Sequence, residues 1–529
     1  MKNNVVWNVI FGILLAVVAA TEVFAVIAIS RLNMLPPAYM AVLIGVLVVF
    51  CAVVGLLLFL KGKKPGKIRK ICAAVLAVVL ICGCTALGTV ALDIIKTLEL
   101  TRQDTLEITT REIYVLADNQ AVSLADTSRF TYGYIKDYDE SCTQQVLDEI
   151  REKTGTQVST AGYTNMLTMI TAFLDNKIDA IILNGGLISI LEEFEELDGF
   201  YDRTRILTQV RVLETNAAAS DIPDAEEEVS AEDPNRTMQT ETADETEQEE
   251  QLDFSELKPF VVYVSGSDSR DTEIVYNSRS DVNILAVVNP LTKQVLLINS
   301  PRDFYVINSA AGGEWEKRYD KLTHCGVYGT KCSMRTLGNL YGVDVDYFVR
   351  INFTGFKKMI DALGGITVNS DYEFMAIGRT PIKVGENTLD GQKALDFARE
   401  RKRVPGGDID RGRHQMKVIT AVIEKATSGT TIINNYSEIM KSVEGMFDMN
   451  VPTELISSLM KMQLSDMARW NIVSYAATGW FDQGECYSMP GIEVSVLRPS
   501  YGSINKASRL IDMVFAGELL TEEVINSIE

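Results

Sequence analysis

Three long apolar runs fill the first hundred residues of the chain. They are VVWNVIFGILLAVVAATEVFAVIAI (5–29), MAVLIGVLVVFCAVVGLLLFL (40–60) and ICAAVLAVVLICGCTALGTVALDII (71–95). Each run is long enough to cross a hydrocarbon core of about 30 Å as a helix. A cleaved signal peptide is the alternative, but three successive runs without a small-residue cleavage site favour three transmembrane helices within 1–97.

The loops between these runs differ in charge, and that difference predicts an orientation. Residues 61–70 (KGKKPGKIRK) carry six Lys or Arg and are expected to stay in the cytoplasm, whereas RLNMLPPAY (31–39) carries only Arg31. Three crossings then place everything after about residue 97 outside the membrane. We therefore expect a multi-pass cell-membrane protein with extracytoplasmic domains.

Alternating and helical periodicities after the apolar region predict a small α/β accessory domain over 98–212. REIYVLAD and KIDAIIL have the pattern of strands, and SCTQQVLDEIREKTG and TNMLTMITAFLDN that of amphipathic helices. The polar residues of this segment form no catalytic pattern. A spacer or recognition domain is therefore the favoured interpretation.

The segment 213–258 is different in composition. Residues 214–258 contain sixteen Asp or Glu against Arg236 and Lys258, a net charge of −14 out of the chain's −21. Such a sequence has too few large apolar residues to offset the entropy of ordering it, which predicts a disordered acidic linker. The acidity of the whole chain therefore resides mostly in this linker.

Residues 259–529 have the pattern of a second α/β domain, with a central mixed sheet flanked by helices. PFVVYVSGSD, VNILAVVN and QVLLINSPRD are apolar strands, and a further strand, NIVSYAA, lies near the C-terminus. FTGFKKMIDALGG, GQKALDFARER, HQMKVITAVIEKA and ASRLIDMVFAG have helical periodicity. Polar residues cluster at the strand ends, where open α/β sheets usually bind their ligands.

Cysteine and histidine are few in the predicted extracytoplasmic part. Cys142, Cys325, Cys332 and Cys486 lie outside the apolar runs, and an extracytoplasmic compartment permits a disulfide among the last three, in a pairing that the sequence leaves open. Two histidines and no paired CxxC motif make a structural zinc site improbable.

Four short stretches combine arginine with aspartate. They are SGSDSRD (265–271), RSD (279–281), SPRD (300–303) and FARERKRVPGGDIDRGRHQ (397–415). Guanidinium groups form bidentate bonds to phosphate oxygens, and aspartates hold Mg²⁺, so the combination suits a diphosphate with a divalent metal. From these residues alone, a surface network of ion pairs is an equally good interpretation. A nucleic-acid site is disfavoured, because the arginines alternate with aspartates and the predicted topology is outward.

The order of these motifs resembles the LytR-CpsA-Psr family. The series SGSDSRD, RSDVNILAVVNPLTKQVLLINSPRDFYV, KLTHCGVYG, YFVRINFTGFKKMIDALGGITV, LDGQKALDFARERKR and GDIDRGRHQ spans about 260–425. Three helices followed by an intervening domain are similar to its streptococcal capsule-attachment members. The resemblance implies a phosphotransferase in the envelope of a Gram-positive-type bacterium. Such an enzyme moves a glycopolymer (teichoic acid, capsule or a related polysaccharide) from undecaprenyl pyrophosphate to peptidoglycan, typically to a MurNAc hydroxyl.

The resemblance also implies roles for individual residues. A magnesium (or manganese) ion would be held by Asp268 and Asp281, and Asp303 or Asp408 would help to deprotonate the acceptor. The residues implied to bind the phosphates are Arg270, Arg279, Arg302, Arg399, Arg401, Arg411 and Gln415. The family usually has Arg immediately before that Gln, where this chain has His414, and Arg413 lies one residue earlier. A deep apolar pocket for the polyprenyl tail is implied as well.

Two other functions use the same residues. A pyrophosphatase would release the polymer to water, and a non-catalytic envelope regulator would only bind the carrier. The implied partners in every case are the carrier-linked glycopolymer, membrane lipid and, for the transferase, peptidoglycan, and no nucleic acid is expected.

Overall fold

The architecture comes from a computed structural model of the chain. It describes residues 2–60, 67–101, 108–136, 140–184, 187, 199–213, 257–267, 274, 278–310, 318–428, 439 and 441–528. The predicted linker 213–258 therefore lies almost entirely outside the described residues.

Three helices open the chain: α1 (Lys2–Leu32), α2 (Pro37–Phe59) and α3 (Lys67–Thr101). All three are long and apolar enough to cross a membrane, over Val9–Leu32, Pro37–Phe59 and Ile68–Lys96, which agrees with the three predicted runs. Glu22 is buried among them, with 7% of its surface exposed.

A five-stranded sheet follows, in the order β3-β2-β4-β1-β5. Its strands are β1 (Ile108–Leu116), β2 (Thr131–Ile135), β3 (Ser159–Tyr163), β4 (Ala180–Asn184) and β5 (Thr204–Leu213). The helices among them are α4 (Glu140–Thr154), α5 (Met166–Leu174) and the short α6 (Phe200–Arg203). These elements confirm the α/β pattern that periodicity predicts for this part of the chain.

The larger sheet has six strands in the order β16-β11-β6-β7-β8-β17. They are β6 (Phe260–Ser267), β7 (Ser280–Asn289), β8 (Gln294–Asn299), β11 (Tyr347–Asn352), β16 (Phe447–Met449) and β17 (Asn471–Ala476). The β11–β6 and β8–β17 pairs are parallel and the other pairs antiparallel, so the predicted mixed sheet is confirmed.

Helices cover both faces of this sheet. On one face, alternate residues such as Tyr263 and Leu285 pack with α8 (Thr330–Tyr341) and α13 (Tyr501–Phe515). On the other, Val262 and Ile284 pack with α11 (Asp408–Thr427) and α12 (Thr453–Asp466). Because successive residues of a strand point to opposite faces of the sheet, the strands contribute side chains to two separate cores.

Shorter elements complete the domain. The helices are α7 (Leu322–Cys325), α9 (Phe353–Ala362), α10 (Gly391–Arg399) and α14 (Glu522–Ser527). The strands are β9 (Tyr305–Ile307), β10 (Tyr319–Lys321), β12 (Ile366–Ser370), β13 (Phe374–Ala376), β14 (Thr380–Ile382), β15 (Gly385–Leu389), β18 (Gly479–Cys486) and β19 (Met489–Pro499). The β18–β19 hairpin also contacts the elements around the five-stranded sheet. Asn165 Nδ2, just before α5, donates a hydrogen bond to the carbonyl of Gly491 in β19 (3.0 Å).

Candidate active site

Two of the predicted stretches meet at one edge of the larger sheet. Strands β7 and β8 are antiparallel, and Ser300 N donates a hydrogen bond to the carbonyl of Asn283 at 2.9 Å. The start of β7 therefore lies beside the residues that follow β8. Arg302 consequently reaches Asp281, with Nη1 2.8 Å from Oδ1.

Helix α11 brings a third stretch to the same edge. Arg411 and Gln415 follow Asp408 by three and seven residues, which places all three on one helical face. The helix approaches the end of β8 closely at Gly412, where a Cβ would lie only 2.1 Å from Asn299 Nδ2. A side chain at that position would require either the buried side chain of Asn299 or the helix to move.

The start of α11 differs from the sequence-based expectation. The apolar period predicts a helix from His414, but the helix begins at Asp408. Gly407 adopts a left-handed φ of 57°, and Gly406 N donates a hydrogen bond to Asp410 Oδ2 at 2.7 Å. This glycine turn allows the helix to begin six residues earlier, among charged residues that hide its periodicity.

These elements enclose a cavity of about 290 Å³. Its charged and amide lining side chains include Asp281, Arg302, Arg399, Arg401, Arg411 and Gln415. Its apolar lining residues are Val264, Val282, Ile351, Phe353, Phe356, Leu395, Ala398, Val418 and Ile419. Four arginines against one aspartate make the cavity electropositive, and the apolar side chains make it suitable for a molecule with a hydrocarbon part. Val264 and Val282 of the strands line this cavity and also pack against the core on that face of the sheet.

The two carboxylates on opposite elements of the site have pKa values shifted in opposite directions. Burial alone would raise the pKa of Asp281, but the guanidinium groups of Arg302, Arg411 and Arg279 outweigh it and hold that pKa below its usual value. Burial raises the pKa of Asp408, although Arg411 Nη2 lies 2.8 Å from its Oδ1. The surroundings of Asp281 therefore favour its anionic form, and Asp408 is better suited to accept a proton.

Asp303 lies between two cations. Its Oδ1 is 3.7 Å from Arg302 Nε and 3.6 Å from Lys321 Nζ, and it is buried without a hydrogen bond from any residue that the structure describes. Lys321 is not among the predicted site residues. Its stretch, KLTHC, is part of the motif series, but only the antiparallel β9–β10 pairing brings its ammonium group to Asp303.

The remaining predicted arginines take different positions. Arg399 ends α10, and its guanidinium carbon lies 4.5 Å from the ring centroid of Phe353. Arg401 follows the helix and lines the cavity. Arg279 is buried, at 8% exposure, and acts on Asp281 through its charge. Asp268 and Arg270 lie outside the described residues.

Neither His414 nor Arg413 takes part in the cavity. His414 is 2% exposed and stacks on Phe397 and Phe374, with ring centroids 4.2 Å and 5.3 Å away. Arg413 turns outward and pairs with Asp410 at 2.8 Å. Successive residues on a helix point about 100° apart, so a shift by one residue does not carry a guanidinium from one to the other direction.

The donor set can accommodate the magnesium ion that the family resemblance implies. Asp281 lines the cavity as an anion, and Mg²⁺ usually binds one or two carboxylates and takes its other ligands from phosphate and water. Because the lining carries a net positive charge, the phosphates of a substrate would supply the remaining negative ligands. The second predicted ligand, Asp268, lies in the part of the chain that is not described.

The disulfide that the sequence permits among Cys325, Cys332 and Cys486 is not formed, since all three are free and buried. Hydrogen bonds hold two of the thiols, because Cys332 Sγ donates to Asn308 Oδ1 (3.1 Å) and Cys325 Sγ to the carbonyl of Lys321 (3.9 Å).

One group of potential metal ligands lies near these thiols, formed by Asp320, His324 and Cys486 within the described residues. His324 Nδ1 is 2.7 Å from Asp320 Oδ1, and Ser488 Oγ is 3.0 Å from the same oxygen. These separations are those of hydrogen bonds, so the group is a buried polar network.

Comparison with known proteins agrees with the motif series. The LytR_cpsA_psr family model matches residues 229–491. The polyisoprenyl-teichoic acid–peptidoglycan teichoic acid transferase TagU of Enterococcus faecalis is 34% identical over 218 residues, 41% of this chain and 68% of the relative. TagU of Bacillus subtilis is 35% identical over 208 residues, 39% of this chain and 63% of the relative.

Solved structures of similar proteins cover about half of the chain. The crystal structure of B. subtilis TagU is 27% identical, with a TM-score of 0.38, over 50% of this chain and 100% of that one. TagT bound to LI-WTA is 24% identical, with a TM-score of 0.40, over 51% and 94%. The curated relatives are transferases, which confirms the predicted enzyme class. By its matched domain and these relatives, the chain belongs to the LytR_cpsA_psr family.

Proposed function

We propose that this protein transfers a glycopolymer from undecaprenyl pyrophosphate to a hydroxyl of peptidoglycan, forming a phosphodiester. The observation that carries the proposal is the cavity in which four arginines and Asp281 lie beside apolar side chains. A polyprenyl diphosphate has the same two parts, a diphosphate and a hydrocarbon chain. The names of the curated relatives, which act on polyisoprenyl-linked teichoic acid and peptidoglycan, support the same substrate class.

The arginines account for most of the proposed chemistry. Phosphoryl transfer depends mainly on positioning and on neutralising charge at the phosphate oxygens. Arg302, Arg401 and Arg411 would hold the diphosphate, and Asp281 fixes the guanidinium of Arg302. When bound by Asp281 and Asp268, Mg²⁺ would supply further positive charge to the phosphate oxygens.

Asp408 is the proposed general base. The acceptor oxygen forms a bond to the phosphorus nearest the sugar, and the bond from that phosphorus to the bridging oxygen breaks. Undecaprenyl phosphate leaves with the bridging oxygen, and the acceptor proton passes to Asp408. The raised pKa of Asp408 makes this carboxylate the stronger proton acceptor of the two on the site.

Contacts with the apolar helices support an extracytoplasmic catalytic domain close to the membrane. Lys461 Nζ lies 2.7 Å from Asn33 Oδ1, and Lys441 Nζ lies 2.7 Å from Asp93 Oδ2. Asn33 follows α1 and Asp93 is near the end of α3, so both belong to the end of the bundle opposite the basic loop 61–70. A domain held there would meet its carrier at the membrane surface.

Transfer by the full-length protein in detergent tests the proposal, with a lipid diphosphate-linked oligosaccharide as donor and peptidoglycan as acceptor. We expect Asp281→Ala and Arg302→Ala to abolish transfer while leaving the domain folded. Asp371→Ala and Arg151→Ala are matched controls, because each removes one member of an exposed ion pair. Wild-type turnover by both site variants would refute the proposal.

A pyrophosphatase is the second candidate, because the same cavity would serve with water as acceptor. Product analysis with and without peptidoglycan separates the two functions. A transferase releases undecaprenyl phosphate much faster with peptidoglycan, whereas a hydrolase releases it at the same rate in both conditions.

A further inference from the structure

Helices α1 and α2 leave a groove of about 640 Å³ between them, far from the diphosphate cavity in the sequence and in the fold. From α1 it is lined by residues at the three- and four-residue spacing of one helical face, including Ala19, Glu22, Val23 and Val26. The exposed apolar side chains of its lining are Val23, Ile27, Ile44, Val48 and Leu56. The groove therefore opens on the outer surface of the apolar bundle.

Glu22 places a carboxyl group in this apolar groove. The side chain is 7% exposed, and its Oε1 accepts no hydrogen bond from any residue that the structure describes. The thiol of Cys51 lies beside the carboxyl group, but a thiol is a weak donor. In hydrocarbon no water replaces a missing hydrogen bond, so an oxygen without a partner is costly there. The groove is therefore incomplete without a donor from outside the bundle.

The depth of Glu22 makes its carboxyl group unusual. It precedes Leu32, the end of the first apolar span, by ten residues, or about 15 Å at 1.5 Å per residue. That is half the thickness of a hydrocarbon core of about 30 Å. Ionisable side chains at such a depth are rare and usually pair with another polar group.

The chain's own spans hold no cation that could reach this depth. Their basic residues lie at the ends of the first and third spans and are Arg31, Arg69, Lys70 and Lys96. A second copy of the chain would therefore bring another carboxyl group and no cation to the groove. A lipid tail would fill the apolar part of the groove but would offer no donor to Glu22.

The shape of the groove fits a helix. Ala19 on α1, and Ala52 and Gly55 on α2, are small lining residues. Small residues at such positions allow the backbone of a neighbouring helix to approach closely in a membrane. A helix that lies against them can bring a side chain from its own midpoint to Glu22.

We propose that the groove between α1 and α2 docks a transmembrane helix of another membrane protein, and that this helix carries a lysine or arginine near the middle of the bilayer that pairs with Glu22. Such a contact would hold the domains that follow α3 beside that protein. The inference does not depend on the proposed catalytic function.

Association with model transmembrane peptides tests the groove. The full-length protein, labelled with a fluorescence donor, is reconstituted into lipid vesicles with acceptor-labelled peptides of leucine and alanine whose central residue is Lys, Leu or Glu. We expect energy transfer to the Lys peptide at a peptide-to-lipid ratio about tenfold lower than to the Leu peptide, the effect of one strong polar contact between membrane helices. The Glu peptide should bind no better than the Leu peptide. Equal binding of the Lys peptide and either control peptide would overturn the proposal.

Variants of the chain separate the charge from the shape of the groove. Glu22→Gln keeps the size of the side chain and removes its charge, so it should abolish most of the preference for the Lys peptide. Ala52→Leu fills the groove and leaves Glu22 intact, so it should also weaken binding of the Lys peptide. Ala86→Leu is the matched control, because Ala86 is exposed on α3 and does not line the groove, and it should leave binding unchanged.

Unaltered binding of the Lys peptide by Glu22→Gln would refute the pairing, and equal effects of Ala52→Leu and Ala86→Leu would refute the docking site. Two other occupants are distinguished in the same vesicles. Energy transfer between two labelled copies of the chain that is lost in Glu22→Gln would assign the groove to a second copy. Displacement of the Lys peptide by a polyprenyl alcohol would assign it to a lipid. Either result would overturn the proposal.

Discussion

His414→Arg restores the residue that the family usually has before the glutamine, and we expect it to destabilise the domain rather than to improve the site. His414 is 2% exposed and lies between Phe374 and Phe397. Burial, with a smaller contribution from Lys417, lowers its pKa from 6.5 to about 4. At about 1.4 kcal/mol per pH unit, a positive charge at this position costs ~3 kcal/mol.

Arginine cannot escape that cost by losing its proton, and its larger side chain adds about 1–3 kcal/mol of overpacking. We therefore expect His414→Arg to lose about 5 kcal/mol, which is comparable to the whole stability of a small domain. Hydrogen exchange of the most protected amides in α10 and α11, measured on the full-length protein, reports the loss. His414→Phe is the control, because it keeps the aromatic stack and introduces no charge.

The same ring predicts a dependence on pH. The folded-state pKa is lowered, so the unfolded chain binds a proton between pH 6.5 and about 4 that the folded protein excludes. The wild type should lose ~3 kcal/mol relative to His414→Phe as the pH falls through that range. A His414→Arg protein with wild-type protection and higher transfer activity would refute this reasoning.

Three further predictions concern other parts of the domain. Arg411→Gln removes the cation nearest Asp408, so the pKa of this carboxylate should rise further. The acid limb of the pH–rate profile for transfer should then move to higher pH. An acid limb that does not move would rule out Asp408 as the base. Burial raises the pKa of Asp448 to about 6, against the opposing charge of Arg350. As the pH rises from about 4 to above 6, the free energy of unfolding of the wild type should therefore fall by ~3 kcal/mol relative to that of Asp448→Asn. A parallel pH dependence in the two proteins would contradict this. Gly412→Ala should displace α11 or the buried side chain of Asn299 and lower transfer at least tenfold. Gly502→Ala, whose Cβ would lie 4.0 Å from its nearest neighbour, should have little effect in the same assay.

Local patterns predict most of the elements. The apolar runs anticipate α1 to α3 within a few residues, because crossing a membrane requires a fixed minimum length of apolar helix. Periods of two and of three to four anticipate the strands and helices on both sides of the linker. The order of the six strands in the larger sheet is not predictable in this way, since it depends on pairings between distant segments such as β8 and β17.

The same difference between local patterns and long-range contacts applies to the residues of the candidate site. The motif series predicts the arginines and aspartates that line the cavity, because their types and order are local features of the chain. Lys321 is missed, since only tertiary contacts bring it to Asp303. Outside the cavity, the position of Asp448 opposite Arg350 is likewise not predictable, because the register of the edge strand β16 is a long-range property.

The side chains of the Arg-rich stretch 397–415 point in different directions, and only some of them reach the cavity. Arg399, Arg401, Arg411 and Gln415 line the cavity, whereas Arg403 pairs with Glu400 and Arg413 with Asp410. Less than a full turn separates Arg411, which is directed into the cavity, from His414, which is held in an apolar core. The charge density of the stretch is therefore a poor guide to its function. The direction of each side chain, set by the glycine turn before α11 and by the close approach at Gly412, determines which cations act on the substrate.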